Sequence, residues 1–378
     1  QVFVGKISAL LNPVTYVIIN IAVVAVIWVG AEQADSGIIT QGKVIALVNY
    51  MSQILVELIK MANLIIIISK AVACMNRVDS IFKVESSIED KGRHGSRKPG
   101  SQNSGSQNSG SQNPGPQNSG PQNPALRIPK VEFKDMEFVY AGAKEPALKD
   151  ISFCAMAGQT IGVIGGTGSG KSTLVNLIPR FYDAASGQVL VDGTDVKEYS
   201  LDELRDKTGV VPQKSVLFKG TLRDNMRWGK QDASDEEIYR ALDTAQAREF
   251  VDSKGEGLDL YIDQGGHNLS GGQRQRLTIA RALVRRPEIL IMDDSASALD
   301  FATDARLRKA IRENTGDMTV FIVSQRATTI KSADTILVLD EGRLAGMGTH
   351  KELLKDCQVY REICLSQLSK EEVERDEQ

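Results

Sequence analysis

Residues 7–31 run for 25 positions without a charge, long enough as a helix to cross a hydrocarbon core of about 30 Å. Pro13 stands near the start of this run, where it can kink a helix without breaking it. Residues 32–43 (EQADSGIITQGK) are polar and of mixed charge, which predicts a short loop. Residues 44–74 are apolar again, interrupted by Glu57, Lys60 and Lys70. A buried helix of a soluble protein is the competing explanation, but such helices rarely run so far without a charge. Lys70, Arg77 and Lys83 mark the end of the second run, whereas the loop carries Glu32 and Asp35. The basic side belongs in the cytoplasm, so the pattern predicts an in–out–in hairpin of two membrane helices. Glu57 and Lys60 are three apart, share a helical face and can pair. Either they line a protein- or water-filled pathway, or this half of the helix already projects into the cytoplasm.

From Asp90 to about Leu126 the apolar pattern vanishes. The pentamer SQNSG starts at Ser101 and again at Ser106, then drifts to SQNPG at Ser111 and PQNSG at Pro116. A five-residue polar period has no hydrophobic face to stack, which excludes a repeat-built fold and predicts a disordered tether over 90–126. Beyond Arg127 the texture is globular. Residues 131–138 and 187–191 read as strands, 160–164 as a buried strand, and 171–178 as the helix that follows it. Amphipathic helical patterns occupy 235–247 and 272–284, and 289–292 and 319–323 are apolar strand runs. Strands alternating with helices predict a mostly parallel α/β core. The charged residues from Lys370 onward read as a solvated tail.

A length of 378 residues suggests two or three structural units. The net charge of −3 gives no basic footprint, so nucleic acid is not an implied partner. Cys74, Cys154, Cys357 and Cys364 show neither metal-ligand spacing nor a paired framework, and read as reduced cytosolic thiols, each expected to be buried. The chain opens on Gln1 rather than Met, with no cleavable signal, and looks cut at its N-terminus.

The run GGTGSGKST, Gly165 to Thr173, carries the most specific chemistry. It fits G-x-x-x-x-G-K-[ST] with Gly165, Gly170, Lys171 and Ser172 in register. Gly165, Gly166, Gly168 and Gly170 let backbone amides turn onto an anion without a Cβ in the way, and Thr167 and Ser169 complete the loop. Lys171 neutralises outer phosphates, and Ser172 offers a hydroxyl to Mg²⁺. By itself this motif means only a nucleotide phosphate. LSGGQ, at Leu269, Ser270, Gly271, Gly272 and Gln273, and the run from Ile289 to Asp300 follow downstream.

Together the three motifs resemble one family, the ATP-binding cassette (ABC) ATPases, over about residues 129–368. The resemblance implies an α/β nucleotide-binding domain over 127–370, with a mostly parallel core sheet, an antiparallel β subdomain and a helical signature subdomain. Residues 1–89 then resemble the last two of six transmembrane helices, 90–126 a linker and 371–378 a tail. Tyr140 matches the aromatic that stacks on adenine, and Gln213 the glutamine that reaches Mg²⁺. Asp293 matches the carboxylate of the metal's outer shell, and Ser297 to Asp300 the loop that communicates between two sites. Leu269 to Gln273 matches the segment that meets the ATP of the opposite subunit, so a dimer sandwiching two ATP molecules is implied.

Two positions depart from the family pattern. The usual Asp-Glu pair is here Asp293-Asp294, which withdraws the second carboxylate by roughly 1 Å, a misplacement that can lower the rate on the order of 100-fold. Gln325 stands where a histidine usually contacts the γ-phosphate, and a glutamine cannot become cationic. The resemblance therefore points to the degenerate-site half of a heterodimeric exporter, multidrug- or lipid-like, in the plasma membrane with its cassette in the cytoplasm. ATP and Mg²⁺ are the implied cofactors. The implied partners are a catalytically complete second half, the bilayer and an exported small molecule, peptide or lipid. A membrane-anchored nucleotide-binding protein without transport is the alternative. A soluble ABC protein acting on ribosomes or DNA is disfavoured by the two apolar spans and the absent basic surface.

Overall fold

The computed structural model describes residues 2–83, 88, 90, 128–295 and 299–377. They divide into two units, residues 1–87 and 88–378. The tether expected over 90–126 lies outside the described residues except for Asp90.

The first unit is a helical hairpin of α1 (Val2–Asp35) and α2 (Gln41–Phe82). At 1.5 Å per residue they are about 51 and 63 Å long, so each exceeds a bilayer core. Pro13 sits inside α1 without ending it. The loop expected over 32–43 is shorter. Glu32 and Gln33 continue α1, and Gly37 stops it at φ 75°, with Ser36 donating to the Glu32 carbonyl at 3.2 Å. The far end of α2 also runs beyond Cys74, and Lys83 pairs with Asp79 at its last turn. The helices meet where Gly30 is buried against Val44. A Cβ at Gly30 would lie 2.7 Å from Val44 Cγ1, so only glycine admits this approach. Trp28, Ile54 and Ile65 are exposed on the hairpin. Both helices are long and apolar enough to cross a membrane.

The second unit begins with β1 (Val131–Phe138) and β2 (Leu148–Ala155), which alternate between buried and exposed positions and pair antiparallel. β3 (Thr160–Gly165) is buried along nearly its whole length, as a strand covered on both faces must be, and feeds a glycine-rich turn into α3 (Lys171–Asn176). β4 (Ser186–Val191) and β5 (Thr194–Asp195) complete an antiparallel sheet in the order β2-β1-β4-β5. After α4 (Leu201–Lys207) and β6 (Thr208–Val211) comes a mainly helical stretch. It holds β7 (Gly220–Thr221), α5 (Leu222–Arg227), α6 (Asp235–Thr244), α7 (Arg248–Ser253), β8 (Tyr261–Ile262) and α8 (Gly271–Leu283). Capping boxes start three of its helices, through Thr221 and Asp224, Ser234 and Glu237, and Ser270 and Gln273.

β9 (Ile289–Asp293), α9 (Phe301–Asn314), β10 (Thr319–Val323), α10 (Ala327–Ile330), β11 (Thr335–Asp340) and β12 (Arg343–Gly348) follow. They complete a six-stranded sheet in the order β12-β11-β3-β10-β9-β6, parallel except for β12. Its register sets Val323 beside both Val163 and Asp293, so the carboxyl ends of β3, β10 and β9 open onto one edge. Phe133 stacks on Phe153 at 4.6 Å and Phe321 meets Phe153 at 6.5 Å, joining the antiparallel sheet to one face of the parallel one. The helices, among them buried Leu277, Leu307 and Tyr360, cover the other core.

The chain closes with α11 (His350–Asp356), α12 (Gln358–Leu365) and α13 (Lys370–Glu377). The solvated tail expected over 371–378 is thus a docked helix through Glu377. Val373 is buried, and Asp376 pairs with Lys331 and His350. Its charges hid a single apolar anchor. The thiols also differ from expectation. Cys357 and Cys364 are buried, but Cys154 faces outward from β2 and Cys74 is exposed on α2.

Candidate functional site

The turn between β3 and α3 is shaped by where its glycines can go. A Cβ on Gly165 would come within 2.1 Å of the Leu339 carbonyl oxygen, so only a bare backbone passes under β11. Gly170 holds φ at 95° and touches Leu148, a conformation that costs any other residue strain. Gly166 and Gly168 face open space within 4 Å, which leaves the backbone between them accessible from the cavity side. Ser169 is buried, and its hydroxyl has no hydrogen-bond partner among the described residues.

Lys171 begins α3 with its amine folded back into this turn, donating to the carbonyls of Gly165 at 2.9 Å and Gly166 at 2.6 Å. Burial pushes the amine below the ordinary lysine value, while Asp294 and Asp293 act in the opposite direction. The neighbouring Ser172 donates its hydroxyl to Asp293 at 2.9 Å. Burial holds the Asp293 carboxyl above its usual range, the bond from Ser172 and the charge of Lys171 opposing this and Asp294 adding to it. A divalent cation held by Ser172 and Asp293 would supply the positive charge that this crowded carboxylate pair lacks.

Asp294 follows β9 in a left-handed conformation, φ 44°, and donates its amide to the Val323 carbonyl at 3.0 Å. Its side chain accepts a bond from Gln213 Nε2 at 3.2 Å. Gln325 enters from the loop after β10. Tyr140 is tied through its hydroxyl to Thr173 at 2.8 Å, and its ring stands edge-on to Phe138 and Tyr182 while staying partly exposed. These groups line one cavity of about 390 Å³, together with Thr167, Gly168, Gly170 and Thr173.

Ala147 and Ser324 also line this cavity and had no signal in the sequence. Gly165, Gly166 and Ser169 belong to the loop without lining the cavity. Leu269, Ser270, Gly271, Gly272 and Gln273 lie elsewhere. Ser270 caps α8, accepting from Gln273 N at 3.2 Å and donating its own amide to Gln273 Oε1 at 2.9 Å. Leu269 is buried, and Ser270 and Gly271 are exposed. Asp300 caps α9, accepting from Thr303 N at 2.9 Å, a bond that holds its carboxyl below the usual range. Ser297 and Ala298, the start of the expected communication loop, lie outside the described residues.

A sequence profile of ABC transporters matches residues 148–297, which contain the glycine-rich turn, the capped LSGGQ segment and β9. This chain belongs to the ABC transporter family. An uncharacterized ABC transporter ATP-binding protein of Mycobacterium tuberculosis is 39% identical over 366 residues, covering 96% of this chain and 58% of that protein. An ATP-dependent lipid A-core flippase of Desulfotalea psychrophila is 33% identical over 344 residues, 91% of this chain and 55% of the flippase. Among solved structures, a bacterial Atm1-family ABC exporter with ATP bound matches with TM-score 0.65 and 30% identity, over 98% of this chain and 60% of that one. The chain thus spans little more than half the length of the relatives it matches. ABC transporters bind ATP, and the cavity beside Lys171 has the donors, hydroxyl and carboxylate to hold its phosphates with Mg²⁺.

Proposed function

We propose that this chain is the ATP-binding subunit of an ABC exporter, working with a second half-transporter whose catalytic positions are complete. The cargo is amphiphilic, in keeping with the similarity to a lipid A-core flippase and the apolar surface of the hairpin. The chain lies in the plasma membrane through α1 and α2, with the cassette in the cytoplasm. The observation that carries the reading is the composition of the 390 Å³ cavity. Lys171, Ser172, Gln213 and Asp293, which would hold Mg-ATP, line it, and Asp294 and Gln325 occupy the two positions that would drive hydrolysis.

Bound Mg-ATP supplies the phosphoanhydride and the charge that the site neutralises. Lys171 exchanges two loop carbonyls for the outer phosphates, and the amides around Gly168 and Gly170 follow the same anion. Ser172 and Asp293 would hold the cation that accompanies ATP. Asp294 can accept a proton from water but reaches less far than a glutamate, and its bond from Gln213 holds it to one side. Gln325 offers a neutral amide where a cation would stabilise the developing charge. Turnover here is therefore slow. Ser270 and Gly271, exposed at the start of α8, and half-buried Gly272 serve the ATP held by the partner.

The experiment measures Mg-ATP binding and steady-state ATP turnover of the purified chain alone and co-expressed with a second half. Lys171→Ala should weaken binding at least about tenfold through loss of a charge-assisted contact. In the pair, a Ser270→Ala/Gly271→Val lesion should remove most turnover while Asp294→Asn changes it little. Equal damage from both would contradict the division of labour.

A further inference from the structure

The loop that carries Gln325 is not held by its own helix. α10 starts at Ala327 with Arg326 at its cap position, and no side chain within the helix satisfies the first amide. The bond comes instead from 40 residues away. Ala327 N donates to Gln367 Oε1 at 2.9 Å, while Gln367 Nε2 donates to the Gln325 carbonyl at 2.7 Å. One carboxamide therefore brackets the peptide units on both sides of Arg326, supplying the acceptor and the donor together. Ser324 adds a local turn, its hydroxyl accepting from Arg326 N at 2.9 Å.

Gln367 is itself fixed. It follows α12 and precedes α13, donating its amide to the Cys364 carbonyl at 3.0 Å. Ser369 and Glu372 then cap α13 reciprocally. That helix returns to the far end of α10, where Asp376 pairs with Lys331 at 2.5 Å. Both ends of α10 are thus tied to the last turns of the chain, and Gln325 is the only one of these loop residues apart from Ser324 to line the phosphate cavity.

We propose that Gln367 is a positioning residue for the site, its carboxamide fixing the backbone of the Gln325 loop so that Gln325 faces bound phosphate. The proposal rests on the reading of Gln325 as a phosphate-facing group. The docked C-terminal helix then acts on turnover rather than on nucleotide affinity, since Lys171 and Ser172 bind from another element. Two losses follow if the carboxamide is removed. The Ala327 amide loses its acceptor and exchanges faster, and Gln325 samples orientations away from the cavity.

The test uses the full chain in lipid nanodiscs with three variants, Gln367→Ala, Gln367→Glu and Gln325→Ala. Gln367→Ala should raise hydrogen exchange at the Ala327 amide at least about tenfold, the loss of one hydrogen bond. It should also lower ATP turnover to roughly the level of Gln325→Ala, with Mg-ATP affinity within about twofold of wild type. Gln367→Glu keeps the shape and the acceptor but sets a carboxylate against the Gln325 carbonyl. Its turnover should fall to about the level of Gln367→Ala while exchange at Ala327 stays slow, because the acceptor is kept and the donor is lost. Unchanged exchange at Ala327 in Gln367→Ala would overturn the clamp. Normal turnover in Gln367→Ala, where Gln325→Ala is impaired, would overturn the positioning role. Should Gln325→Ala itself be without effect, the reading of the site fails, and the exchange at Ala327 still decides whether Gln367 holds the loop.

Discussion

Gly170→Ala and Gly166→Ala separate a glycine that the glycine-rich turn requires from one that it does not. At Gly170 the new methyl would lie 2.6 Å from Leu148 Cδ2 and 3.1 Å from the Ala147 carbonyl oxygen, on a backbone at φ 95°. Left-handed backbone costs alanine about 1 kcal/mol, and an overlap of roughly 1 Å with Leu148 adds about 1–3 kcal/mol. A total of about 2–4 kcal/mol lowers the melting midpoint of a domain this size by roughly 5–15 °C. Because the same residue leads into Lys171, ATP affinity should fall at least about tenfold as well. At Gly166 nothing lies within 4 Å of the new methyl, so the midpoint should stay within about 2 °C. Its ATP affinity should stay within about twofold of wild type, since Gly166 does not line the phosphate cavity. Differential scanning fluorimetry and a nucleotide-binding titration on both variants decide the matter. Equal midpoints for the two variants, or a tenfold loss of ATP affinity in Gly166→Ala, would refute this account of the turn.

Val373→Asp sets a charge at the buried anchor of α13 and should undock it, at a cost of about 2–4 kcal/mol. Hydrogen exchange over residues 371–377 should become fast, and unchanged slow exchange would count against the docked helix. His350 is held below the usual histidine value of 6.5 by burial, with Asp376 pulling the other way. Between its folded value and about 6.5 the unfolded chain binds more protons, so stability rises with pH and is lost as pH falls through that window. His350→Gln should flatten the dependence of the melting midpoint between about pH 7 and 5. The same slope in both proteins would contradict the assignment.

Most of the site was legible in the sequence because its groups come in local runs. Lys171 and Ser172 follow their glycines directly, and Asp293 ends an apolar strand that points to its own carboxyl end. The meeting of Gln213, Asp294 and Gln325 depends on strand order in the parallel sheet, which only the family resemblance could supply. Tyr140 illustrates the limit of residue-by-residue reading, since its bond to Thr173 spans 33 positions. The tail was misread because seven of the residues from Lys370 to Glu377 are charged and only Val373 is apolar. Periodicity cannot report a helix that docks through one side chain and two ion pairs. Ala147, Ser324 and Gln367 carry no composition signal, as small or polar residues act there only through what the fold brings beside them.

The central claim is that Asp294 and Gln325 leave this cavity able to hold Mg-ATP but slow to cleave it. It is tested most directly by steady-state ATP turnover of a dimer of this chain carrying Asp294→Glu and Gln325→His, against the unmodified dimer. The intact Ser270, Gly271 and Gly272 of each copy would then face a completed site. A longer carboxylate and a cationic side chain should raise turnover on the order of 100-fold, with Mg-ATP affinity little changed. Turnover in the unmodified dimer as fast as in the double variant would contradict the claim.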